Sequence, residues 1–69
     1  MSSKKEEKAA FERLKKAFPG KDSALCCDYC SYRKYPYYYC TVNDVGSTIG
    51  DNVETADEAV DLMISMKEE

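Results

Sequence analysis

The chain contains no histidine. A serine–histidine–aspartate triad is therefore excluded, and a cysteine nucleophile would lack its usual base. Glycine and proline are scarce, at three and two residues. No glycine-rich phosphate loop is present, and Gly46 and Gly50 read as turn residues. No apolar run reaches eight residues. A membrane-spanning helix needs about 20 apolar residues and a signal-peptide core about 7–15. Neither is expected, so the chain reads as cytoplasmic, where thiols stay reduced. The carboxylates fall on helix surfaces, where solvated acids are ordinary. No enzyme activity and no cofactor are expected.

What is present is concentrated. All four cysteines (Cys26, Cys27, Cys30, Cys40) and all six tyrosines (Tyr29, Tyr32, Tyr35, Tyr37, Tyr38, Tyr39) lie between residues 26 and 40. The 69 residues, 43% hydrophobic and 33% charged, make one small domain, 1–69, near the lower size limit for independent folding. Net charge is −3 but unevenly spread. Residues 1–21 carry seven bases against Glu6, Glu7 and Glu12, whereas residues 43–69 carry eight acids against Lys67 alone. Two solvated helix faces that attract each other give the simplest account.

The first element is a helix from about Lys4 to Phe18. Phe11, Leu14 and Phe18 recur at helical spacing, Ser2 or Ser3 caps the start, and Pro19-Gly20 stops it. Residues 24–32 and 37–42 read as strands, joined by Arg33-Lys34-Tyr35-Pro36. Pairing Cys27 with Cys40 sets Leu25, Cys27, Tyr29, Tyr38, Cys40 and Val42 on one apolar face. Cys26, Asp28, Cys30, Tyr32, Tyr37, Tyr39 and Thr41 take the other. Asn43-Asp44-Val45-Gly46 is a turn. A short third strand, about Ser47 to Gly50, follows with Ile49 inward. Thr55-Ala56-Asp57-Glu58 is a capping box opening a second helix, whose inward stripe is Ala56, Ala59, Val60, Met63, Ile64 and Lys67. The predicted class is α+β in the order α-β-β-β-α: a three-stranded antiparallel sheet with N- and C-terminal helices packed on one face.

This order, ending in a strand glycine and a Thr-capped helix, is similar to the double-stranded-RNA-binding domain. A strand leading into a Thr-x-x-Glu-Ala helix is also similar to small antitoxins of the HicB type. The RNA-binding resemblance implies a lysine-rich turn at the start of the last helix that grips phosphates. Here that stretch is Glu54-Thr55-Ala56-Asp57-Glu58. Its acids repel a phosphate backbone, so the RNA-binding function is not carried over.

The cysteines admit three uses. Reduced thiols in or beside the core suit their small apolar side chains. Zinc would need Cys26, Cys27, Cys30 and Cys40 gathered by a tight knuckle at residues 26–30, where there is no glycine. A disulfide would join Cys27 to Cys40, the one bridge offered directly by the register above. Of the tyrosines, Tyr32, Tyr37 and Tyr39 share a face and would form an aromatic patch rimmed by Arg33 and Lys34. The expected function is a non-enzymatic intracellular interaction module, a small regulator or inhibitor docking on a larger protein through that patch. The acidic helix surface of Asp57, Glu58 and Asp61 is a second candidate. The alternative is a zinc-stabilised module binding nucleic acid through the basic first helix and the Arg33-Lys34 loop. A protein partner is preferred over nucleic acid, no membrane is expected, and a homodimer is compatible with either reading.

Overall fold

The structure, a computed structural model, describes residues 3–29, 36–50 and 53–67. Helix α1 (Lys4–Ala17) is followed by strands β1 (Ser23–Tyr29), β2 (Pro36–Val42) and β3 (Gly46–Ser47), and helix α2 (Ala56–Lys67) ends the order. This is the predicted α+β arrangement, with an antiparallel sheet in the order β1-β2-β3.

Local chemistry sets the helix boundaries. Ser3 caps α1, its hydroxyl accepting from the Glu6 N–H at 3.2 Å. Pro19 lacks the donor that a further turn requires, and Gly20 adopts φ +79°, a left-handed angle that favours glycine. At α2 the Thr55 hydroxyl accepts from the Glu58 N–H at 3.2 Å, as half of the predicted capping box. Asp57 and Glu58 in that first turn suit the positive end of the helix.

Both helices cover one face of the sheet. The core joins Ala10, Leu14 and Phe18 from the α1 segment to Tyr38, Cys40 and Val42 of β2 and to Ala56, Ala59, Val60 and Met63 of α2. Every sheet residue in that set has the same parity along β2, the face on which Leu25 also packs. Two charged contacts tie the helices together. Arg13 forks onto Asp57 and Asp61 at 2.8 and 2.5 Å. Lys67 donates to the Ala17 carbonyl at 2.6 Å and lies over the Phe18 ring. Lys67 thus sits on the expected stripe but spends its ammonium on the end of α1 rather than burying it. Ile64 is partly buried.

The strand register differs from expectation by two residues. Leu25 faces Cys40, and Cys27 faces Tyr38. A shift of two keeps every side chain on its face, so the division into faces stands while the partners change. Cys27 is not opposite Cys40, and the direct cross-strand disulfide goes with that pairing. Pro36 belongs to β2, paired with Tyr29, rather than to a loop exit. The expected extension of the first strand to Tyr32 lies outside the described residues.

The third strand also differs. Ile49 points outward and is 63% exposed, while Thr48 is the buried neighbour at 2%. Thr48 makes two bonds to one residue of β2. Its N–H donates to the Cys40 carbonyl at 2.9 Å, and its hydroxyl accepts from the Cys40 N–H at 2.8 Å. A buried N–H needs an acceptor, which isoleucine cannot supply. Beyond that point the Tyr38 N–H donates to the Val53 carbonyl at 2.9 Å, so the segment before α2 closes against β2.

Candidate functional site

Two surfaces of the described residues stand out as candidates. The first is the sheet face opposite the helices. Pairing across β1 and β2 sets Asp28 beside Tyr37, and Cys26 beside Tyr39. The Tyr37 and Tyr39 rings lie 6.2 Å apart, tilted by 30°. No helix of the described residues covers them, and both are half-buried. The Tyr39 hydroxyl is held above its ordinary pKa, first by its electrostatic interaction with Cys26 and next by its hydrogen bond with Cys26. This tyrosine therefore presents a neutral, hydrogen-bonding tip at physiological pH. Of the expected patch, Tyr37 and Tyr39 fall together here, while Tyr32, Arg33 and Lys34 lie outside the described residues.

The second surface was not anticipated. The N-terminal half of α1 overhangs β1 and leaves a groove of about 500 Å³. Its walls are Lys4, Lys8 and Phe11 from α1, and Leu25 and Cys27 from β1. At its floor the Tyr38 hydroxyl donates to the Glu7 carboxylate at 2.6 Å. Burial, that bond and the nearby Cys27 raise the Tyr38 pKa, so the phenol keeps its proton and acts as a clamp between β2 and α1. Cys27 was expected to be buried but is exposed, because β1 is an edge strand and α1 stands away from it at this end. The available sequence signal was the inward parity of Tyr38, since a buried phenol needs a polar partner. The sequence did not reveal which carboxylate would meet it.

The three described thiols do not converge. Cys26 and Cys27 are neighbours on one strand and project to opposite faces, and Cys40 is buried against the helices. Burial pushes the Cys40 thiol up to about 11, as expected of a small apolar core residue. Cys26, Cys27 and Cys40 carry free thiols, and Cys30 lies outside the described residues. Among the described residues no group of three or more histidine, cysteine, aspartate or glutamate side chains could hold a metal ion.

The acidic face of α2 is partly engaged. Asp57 and Asp61 both accept from Arg13, whose charged form is favoured above all by the Asp61 hydrogen bond. Only Glu58 of the expected trio lies outside that fork. Among the described residues no helix is long and apolar enough to cross a membrane. No protein-family model, curated protein or solved structure matches the chain.

Proposed function

We propose that this domain is a non-enzymatic protein-interaction module, a small accessory regulator that docks on a larger protein through the open face of its sheet. The paired rings of Tyr37 and Tyr39 carry this reading. They stand on the side away from both helices, where the fold gives them no burial against the core. Tyrosine is the residue type that suits such a role: it offers a large rigid contact area at low entropic cost and keeps a polar tip. Asp28 is the charged residue of the described strands on that face, which disfavours a nucleic-acid backbone as the occupant.

Replacing both rings, Tyr37→Ser with Tyr39→Ser, separates recognition from folding. Affinity capture from cells should recover a protein partner with the native chain and lose it with the double variant. The same variant should stay folded, because the cross-strand side-chain pairs it alters, Tyr37 with Asp28 and Tyr39 with Cys26, contribute only about 0.2–1 kcal/mol each. A stability loss above about 3 kcal/mol would assign the rings to the core and end the proposal.

A further inference from the structure

We propose that the outer edge of β1 accepts an acidic, extended segment of a partner protein as a fourth strand, with side chains of that segment entering the groove beneath α1. This surface is independent of the open sheet face.

Backbone directions establish the edge. The Cys40 carbonyl and N–H are both taken by Thr48, and the Tyr38 N–H by Val53, so these residues of β2 turn their polar groups away from β1. Antiparallel pairing alternates, so Tyr37, Tyr39 and Thr41 face β1 and meet Asp28, Cys26 and Ala24. Leu25 and Cys27 must then direct their N–H and C=O groups outward. Among the described residues no strand pairs with that side of β1.

Edges that must stay single are usually blunted by lysine, proline, a bulge or shortness. The sequence of β1, SALCCDY, has no lysine and no proline, and it spans seven residues. Beside it lies the groove, apolar at Phe11 and Leu25 and rimmed by Lys4 and Lys8. Glu7, the acid within it, is already engaged by the Tyr38 hydroxyl. A neutral phenol does not cancel the Glu7 charge, but Lys4 and Lys8 outnumber it, so the groove is net positive and favours an acidic segment. Spacing agrees. Residues four apart on a helix stand about 5–6 Å from each other, and alternate residues of a strand about 6.6 Å. An added strand reading acid-x-acid-x-apolar would set its carboxylates against Lys4 and Lys8 and its apolar side chain near Phe11 and Leu25. A second copy of this chain fits less well, because pairing β1 with β1 would bring two basic α1 helices together.

The test uses the full chain under reducing conditions and a capped synthetic peptide, Thr-Glu-Thr-Glu-Thr-Val-Thr. Binding should saturate below about 1 mM. Amide exchange at Leu25 and Cys27 should slow at least about tenfold, while Cys26 and Asp28, which face β2, stay unchanged. Lys4→Glu with Lys8→Glu should weaken binding about tenfold or more, and a peptide with lysine in place of glutamate should restore it. Chemical synthesis with an N-methylated Cys27 removes one outward N–H and should abolish binding. If that variant does not fold, the charge swap decides alone. Absence of saturable binding, or binding indifferent to the charge swap, overturns the proposal. Dimerisation of the free chain with protection at the same amides also overturns it, in favour of a self-paired edge.

Discussion

Replacing Thr48 with valine removes one oxygen and keeps the shape, so its cost isolates a single hydrogen bond. In the native chain the Thr48 hydroxyl accepts from the Cys40 N–H at 2.8 Å, and Thr48 and Cys40 are 2% and 0% exposed. Water cannot take over the abandoned donor. An unsatisfied buried N–H costs about 1–3 kcal/mol. The new methyl group returns about 0.8 kcal/mol of burial. The net loss is then about 0.2–2 kcal/mol, within a total stability of about 3–10 kcal/mol for a domain of this length. The melting temperature should fall by roughly 1–16 °C, at about 4–8 °C per kcal/mol. Urea unfolding measures it: the midpoint should drop with the slope unchanged. A valine variant as stable as the native chain would refute the assignment of the hydroxyl as the acceptor, and with it the explanation for the outward turn of Ile49.

Other perturbations test other parts of the fold. Thr55→Ala should cost about 1 kcal/mol, read by the same titration, because the Glu58 N–H loses its cap. Arg13→Ala should cost less than about 1 kcal/mol despite two ion pairs, since all three side chains are about half exposed, and the cost should shrink further in high salt. Stability should also fall at alkaline pH. The folded pKa of Cys40, about 11, lies above its ordinary 9.0, and that of Tyr38 is also raised. The unfolded chain therefore releases these protons first, so the stabilisation is whole below about pH 8 and declines as pH climbs through roughly 9 to 11. Urea midpoints that stay flat through about pH 10 would contradict this. Gly20→Ala should cost about 1 kcal/mol although nothing crowds the added carbon, because the strain lies in the φ of +79°.

Helix boundaries and faces were legible because they rest on local rules. Phe11, Leu14 and Phe18 mark one stripe, Pro19-Gly20 ends it, and Thr55 with Glu58 opens the next helix. The alternation of residues 24–29 and 37–42 divided the sheet into its two faces, and both helices cover the expected one. Alternation fixes only parity, however. Pairings two residues apart satisfy it equally, so the placement of Cys27 against Tyr38 rather than Cys40 could not be read from it. Thr48 was hidden for a related reason. Hydrophobicity favours burying Ile49, but the Cys40 N–H at that layer needs an acceptor, and backbone satisfaction outweighs one apolar side chain. In the candidate site, Tyr37 and Tyr39 followed from parity. The groove did not, because it depends on how far α1 stands from an edge strand, a distance that no spacing rule encodes.

The bond from Lys67 to the Ala17 carbonyl also constrains how the chain can be rewired. It brings the last turn of α2 to the finish of α1, a full helix length from where α1 begins. At about 1.5 Å per residue, Lys4 and Lys67 therefore lie roughly 20 Å apart. A circular permutant joining these points would need about six or more extended linker residues, and a shorter tether would tear Lys67 from its seat.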